Sequence, residues 1–438
     1  MSGFVESVMG ELPRRETKLK QVIVFFGVLL LCSLILALDP VWAMTVETAP
    51  IEALRQYLQE DPKHRPPLSE KHFARQPLTK AEAESAAELL WNYHREQIIA
   101  ERKKMIDDRV LTIRLGLGTL KLRMAFDYTI YGKPVDGMRS LYISLHGGGA
   151  TSPEVNDQQW ENQKKLYQPD EGIYLAPRAP TNDYDLWHKP SIDLLLDYLI
   201  ESLIVLENVN PNRVYLMGYS AGGGGSWKLA PRMADRFAAV ATMAGHPDTA
   251  EPYGLRNIGF TIHMGGKDTA YNRNRLAEEW KHWLKEFQDA DPDGYKHWVQ
   301  IYPELGHWMN REDKSALPWM AQFTRDPFPA RVVWKQDNVP HRRFYWLKVS
   351  GPDAQRVGAM VIASYVGQEI RIEHCDARSL QIRLHDRMID LDQPVRIVSD
   401  EEVLFEGIVP RTIEAIATSL EERKDPESLC YAEVSLKF

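Results

Sequence analysis

Val214-Tyr215-Leu216-Met217-Gly218-Tyr219-Ser220-Ala221-Gly222-Gly223 decides the fold: a short apolar strand runs directly into G-x-S-x-G and then into small residues suited to a helix start. In a strand-to-helix elbow the serine is held in a strained backbone conformation at the tip of the turn. Residues two before and two after it must be small so that strand and helix can approach. Gly218 and Gly222 meet that need, which makes Ser220 the candidate nucleophile.

Upstream, the apolar run 141–145 ends in His146-Gly147-Gly148-Gly149. Glycines there let backbone N–H groups point at the oxyanion that forms when a serine attacks a carbonyl. Gly147 and Gly148 are the candidate donors, joined by Ala221 after the nucleophile, and His146 is expected to hold the loop through its ring. Downstream, run 258–264 leads into Gly265-Gly266-Lys267-Asp268, and run 299–302 leads into Glu304-Leu305-Gly306-His307. A serine hydroxyl needs a neighbouring base, and the base needs a third group to fix its tautomer. His307 and Asp268 take those roles in the order Ser220, Asp268, His307. The competing bases are His246, which would give an unusual order, and His263, which lies inside a strand and reads as core; the competing acid is Asp248.

These motifs together resemble the α/β-hydrolase superfamily over roughly residues 112–327, most like its esterase and prolyl-oligopeptidase-like branches. The resemblance implies a mostly parallel sheet covered by helices and acyl transfer through an acyl-enzyme on Ser220, completed by water. The leading expectation is an exported serine hydrolase acting on small-molecule or polymer carboxylic esters. A serine peptidase of the prolyl-oligopeptidase type is the nearest rival, but the chain has no room or repeat pattern for the propeller such enzymes carry. A catalytically silent envelope- or polymer-binding protein is the alternative of a different class. Trp160, Trp187 and Trp308, with His146 and His246, are candidate pocket residues, because loops after strands line such sites; packing of the tryptophans onto the core is an equal reading. There is no H-E-x-x-H, no paired C-x-x-C and no cofactor fingerprint, so neither metal nor cofactor is expected.

The chain has 438 residues, 44% of them hydrophobic, enough for two or three domains. A net charge of −8 without a basic run beyond the N-terminus excludes an electrostatic footprint for nucleic acid. Arg14, Arg15, Lys18 and Lys20 precede the apolar stretch 22–38, and Asp39-Pro40-Val41-Trp42-Ala43 follows it. This pattern predicts a secretory signal cleaved after Ala43, with an uncleaved membrane anchor and a buried helix as alternatives. Leu31 before Cys32 is too large for a lipoprotein cleavage box. Cys375 and Cys430 read equally as a disulfide or as two free thiols.

The sequence divides into an export segment (1–43), an N-terminal helical extension (44–110), a catalytic α/β region (111–329) and a small β-rich region (330–438). Segment 44–78 reads as a loosely attached lead-in with one helical piece over 51–60. Thr79-Lys80-Ala81-Glu82 is a capping box, and Ala87, Leu90, Trp91, His94, Ile98 and Met105 share one face of the helix that follows, His94 as a packed residue. Alternation over 111–117 and 120–126 around Gly118-Thr119 predicts a hairpin. Strands near Leu141, Ile173, Val214, Ala238, Ile258 and Val299 then alternate with helices over 192–206 and 276–287, which predicts a mostly parallel sheet covered on both faces. Beyond 330, period-2 runs predict a small antiparallel β unit with a helix over 413–423, serving as a structural cap or a binding module. The glycine run 222–225 implies either tight packing under the sheet or room above the site, since each glycine costs about 1 kcal/mol in a helix.

Overall fold

The computed structural model describes residues 49–115 and 120–438; the export segment, Cys32 and the Gly118-Thr119 turn lie outside the described residues. Residues Pro50–Phe438 form one compact unit. Its first helix, α1 (Pro50–Gln59), buries Leu54 and Tyr57. The lead-in is packed rather than loose: Ala74 and Leu78 are buried, and Leu78 forms a backbone bridge to Arg411. Helix α2 (Lys80–Asp107) opens with the expected capping box, in which Thr79 accepts from the Glu82 N–H and Glu82 accepts from the Thr79 N–H. His94 Nε2 and Arg102 of this helix meet the buried Glu201 carboxylate at 2.8 and 2.6 Å.

The change of period after Asp108 produces β1 (Val110–Leu115) and β2 (Leu120–Tyr131), paired antiparallel with Val110 opposite Ala125. The alternation that follows runs β3 (Arg139–Leu145), α3 (Pro153–Gln163), β4 (Gly172–Pro177), α4 (Pro190–Leu206), β5 (Val209–Tyr219), α5 (Ala221–Arg232), β6 (Ala239–Met243), β7 (Gly259–Gly265), α6 (Arg273–Ala290), β8 (His297–Tyr302) and α7 (Ala316–Met320). The eight strands form one sheet in the order β1-β2-β4-β3-β5-β6-β7-β8. Strands β3 to β8 are mutually parallel, whereas β2 pairs antiparallel with both β1 and β4. Strands β4, β6 and β7 are buried throughout, as apolar runs covered on both faces should be. Because β3 to β8 point the same way, the loops after them all emerge at one edge of the sheet, where ligands bind in open α/β folds.

The C-terminal strands are β9 (Arg331–Lys335), β10 (Arg343–Phe344), β11 (Leu347–Val349), β12 (Met360–Val366), β13 (Glu369–Cys375), β14 (Ser379–Leu384), β15 (Val395–Ser399), β16 (Glu402–Gly407) and β17 (Ala432–Lys437). Two short sheets result, ordered β10-β11-β14-β17 and β16-β15-β13-β12-β9. The expected antiparallel arrangement has one exception, the parallel pair of β13 and β15. It arises because β14 leaves for the other sheet, so the chain must cross over before β15 returns beside β13. Helix α8 (Gly351–Ala354) follows β11, and helix α9 (Ile413–Arg423) precedes β17. Cys375 and Cys430 are both free. Among the described residues, no helix is long and apolar enough to cross a membrane.

Candidate active site

Ser220 occupies the turn between β5 and α5 with φ 57° and ψ −117°, a conformation rare for a residue with a side chain. Neighbouring backbone imposes it. A Cβ on Gly218 would lie 2.2 Å from the Gly222 carbonyl oxygen, and one on Gly222 would lie 2.1 Å from the Leu145 carbonyl oxygen. Glycines at these two positions are therefore a steric condition of the elbow. Tight packing also accounts for Gly223 and Gly225, whose Cβ atoms would lie 2.5 Å from the Met243 carbonyl oxygen and 2.4 Å from Trp187 Cβ.

His307, in the loop after β8, reaches Ser220 Oγ through Nε2 at 3.0 Å and Asp268 Oδ2 through Nδ1 at 2.7 Å. Asp268, after β7, is buried and its carboxylate accepts only, so Nδ1 carries the proton and Nε2 is left to accept from the serine hydroxyl. The competing residues sit elsewhere. His246 turns Nδ1 to its own loop, accepting from the Asp248 N–H at 2.9 Å. His263 is buried between Thr261 and Tyr302, where burial depresses its pKa to about 3. Asp248 approaches His188 at 3.9 Å and forms no pair with His307.

The loop after β3 is fixed by the His146 ring, which is fully buried. Its Nε2 accepts from the Ala179 N–H at 3.0 Å, and Nδ1 donates to the Gly147 carbonyl at 2.6 Å. Burial holds this imidazole neutral, with a pKa of about 4. Trp187, also fully buried, donates its indole N–H to the His146 carbonyl at 2.9 Å, so both residues brace the loop from behind and form no open wall. Gly147 passes so close to the elbow that a Cβ would lie 3.2 Å from Ser220 Cβ. Gly148 has φ +105°, and Asn156 Oδ1 accepts the next N–H, that of Gly149, at 2.9 Å. Ala221 begins α5, where first-turn N–H groups have no intrahelical acceptor. Trp160 lies on α3, not in a loop, and its indole N–H is bonded to the Ala176 carbonyl at 2.9 Å. Trp308 is half exposed beside His307.

Two further residues support the arrangement. Tyr219, the residue before the nucleophile, donates to the His307 carbonyl at 2.7 Å and accepts from the Met309 N–H at 3.1 Å, so the elbow itself anchors the histidine loop. Its signal was the aromatic inside G-Y-S-A-G. Arg273 pairs with Asp268 across the start of α6. A cavity of about 620 Å³ opens among residues such as Arg232, Tyr253, Lys335 and Val357, remote from Ser220; the serine and histidine instead meet at an open surface. Among the described residues, no group of three His, Cys, Asp or Glu side chains is placed to hold a metal ion.

A serine at the β5–α5 elbow, with an acid after β7 and a histidine after β8 of a sheet in this strand order, defines the α/β-hydrolase fold. No protein-family profile matches the chain, and no curated protein matches it in sequence. Among solved structures it is similar to a thermostable esterase, with 18% identity over 50% of this chain and 64% of that one and a TM-score of 0.38. It is similar to a ferulic acid esterase, with 18% identity over 49% and 98% of the two chains and a TM-score of 0.32. A third is S-formylglutathione hydrolase from Staphylococcus aureus, with 15% identity over 48% and 96% and a TM-score of 0.31. The chain thus spans less than two thirds of the first of these proteins.

Proposed function

We propose that the protein is an exported serine hydrolase that cleaves carboxylic esters through an acyl-enzyme on Ser220. The observation that carries this reading is the single line of hydrogen bonds from Ser220 through His307 to Asp268. His307 Nε2 takes the hydroxyl proton as Ser220 Oγ bonds to the ester carbon, and Asp268 stabilises the imidazolium that forms. The oxyanion is met by the N–H groups of Gly147, Gly148 and Ala221, each worth about 2.7–4 kcal/mol in the transition state. His307 then returns the proton to the leaving alcohol, activates water against the acyl-enzyme, and the acid is released.

The export segment 1–43 would deliver the enzyme outside the cytoplasm or tether it to the membrane. Incubation of the protein lacking residues 1–43 with a fluorophosphonate probe and 4-nitrophenyl acetate, beside Ser220→Ala, His307→Ala and Asp268→Ala, tests the reading. Labelling and turnover that require Ser220 are expected. A folded protein that neither labels nor turns over ester would make it a silent scaffold instead.

A further inference from the structure

The edge that carries Ser220 also carries three exposed aromatic side chains, one beside each part of the machinery. Tyr184, in the loop after β4, is 67% exposed, and its carbonyl oxygen would lie 3.2 Å from a Cβ on Gly149 in the oxyanion loop. Tyr271, after β7, is 64% exposed, and its ring stacks over the Arg273 guanidinium, 4.9 Å from centroid to Cζ. Trp308, after β8, is 51% exposed, adjoins His307 and packs 5.7 Å from the Tyr219 ring. Among the described residues, these three are the exposed aromatic side chains in the loops that follow β3 to β8; Val155 and Leu194 are exposed near the starts of the helices after β3 and β4.

Two observations separate this set from ordinary surface residues. Tyr271 and Asn272 both have left-handed backbone, at φ 55° and 57°, a conformation uncommon for a tyrosine. The strand order also puts Tyr184 on one side of Ser220 and Tyr271 with Trp308 on the other. The loop after β8 folds back so that Trp308 packs beside Tyr219 at the elbow, and the reacting pair between the two sides is open to solvent. Flat amphipathic rings, apolar on the face and polar at one tip, suit ring-shaped ligands that keep their own hydration. The formal charge of −8 disfavours an anionic chain.

We infer that the ester is carried on a neutral polysaccharide, whose sugar rings stack on Tyr184 to one side of the scissile bond and on Tyr271 and Trp308 to the other. The inference rests on the proposed hydrolase reading and adds the substrate class.

The test compares partially acetylated cello-oligosaccharides of one, three and six units with 4-nitrophenyl acetate, in the wild type, Tyr184→Ala and Tyr271→Ala. Tyr184 is exposed, so its removal leaves the packing intact; Tyr271→Ala also removes the ring stacked on Arg273, so its length dependence is read as a ratio to its own 4-nitrophenyl acetate rate. The wild type should gain about tenfold in kcat/KM from one unit to six, and each substitution should pull that ratio toward one. Normal 4-nitrophenyl acetate turnover with a flat length dependence would overturn the polysaccharide assignment and leave the hydrolase reading intact. Turnover of a polyester film without any effect of oligosaccharide length would give the aromatic edge to an apolar polymer and also overturn it. Absence of fluorophosphonate labelling would sink the hydrolase reading itself. Retardation in gels containing acetylated cellulose, abolished in both tyrosine variants, would still support the stacking surface in that case.

Discussion

Arg273 Nη1 lies 3.2 Å from Asp268 Oδ1, the carboxylate oxygen that His307 does not use. The acid is therefore gripped from both sides, and its plane is fixed with respect to the imidazole. Charge-assisted bonds of this kind contribute about 1.5–3 kcal/mol. Arg273→Gln should lower kcat on 4-nitrophenyl acetate by about tenfold to a hundredfold with little change in KM. Arg273→Lys, which keeps the charge without the planar fork, should fall between. An unaltered kcat in Arg273→Gln would remove this residue from the positioning network.

Gly148 offers a sharper steric test. With φ +105°, an added Cβ would lie 2.3 Å from Asn156 Oδ1, the atom that holds the Gly149 N–H. Gly148→Ala must move the loop that aims the candidate oxyanion donors, and kcat should fall about a hundredfold or more. Gly137→Ala is the control: its φ is +79°, and nothing lies within 4 Å of the new atom. Similar backbone strain there should leave ester turnover intact, as steady-state rates on both variants will reveal.

Two buried histidines make stability depend on pH. Burial depresses His146 to about 4 and His263 to about 3, both below the ordinary histidine value of about 6.5. Between pH 6.5 and those values the unfolded chain takes up protons that the folded chain refuses, so stability is full above 6.5 and is lost as pH falls toward 4. The effect is on the order of a few kcal/mol per residue. Melting temperatures should drop steeply from pH 6.5 to 4, and His263→Gln should flatten that slope. An equal slope in the variant would assign the acid sensitivity to other groups.

Much of this was legible in the sequence because the chemistry imposes local patterns. Gly218 and Gly222 announce the elbow because backbone passes within 2.2 Å of where their Cβ atoms would be. The strand alternation announces the parallel sheet because its central strands, such as β4, β6 and β7, are apolar runs buried on both faces. Contacts between distant segments were not legible. Nothing near Trp160 or Trp187 indicates that their indole N–H groups are taken by the Ala176 and His146 carbonyls. The parallel pairing of β13 with β15 likewise depends on where β14 goes, which period-2 alternation does not encode. Arg273 is five residues from Asp268, yet only the left-handed turn through Tyr271 and Asn272 brings its guanidinium back to the carboxylate.

The last prediction concerns whether residues 330–438 fold apart from the catalytic region. Asp425 has no solvent exposure and meets Arg325 at 2.7 Å and Arg236 at 3.5 Å. Burial alone would raise the Asp425 pKa, but the Arg325, Arg236 and Arg423 guanidiniums overcome it and hold the group at about 2. Arg325 and Arg236 come from the catalytic region, and more links join the two parts. Trp346 donates to the Pro329 carbonyl, Tyr345 to the Ala234 carbonyl, and Lys228 of α5 to Asp337. Removing one partner of a buried pair leaves uncompensated charge, typically at a cost of about 3–5 kcal/mol. Asp425→Ala should lower the denaturation midpoint accordingly while the wild type unfolds in a single transition. A chain ending at residue 329 would leave the buried Arg325 without its carboxylate and Arg236 with Asp197 alone, and should fail to fold. Two separate unfolding transitions in the wild type, with Asp425→Ala shifting only one, would instead establish an independent C-terminal domain.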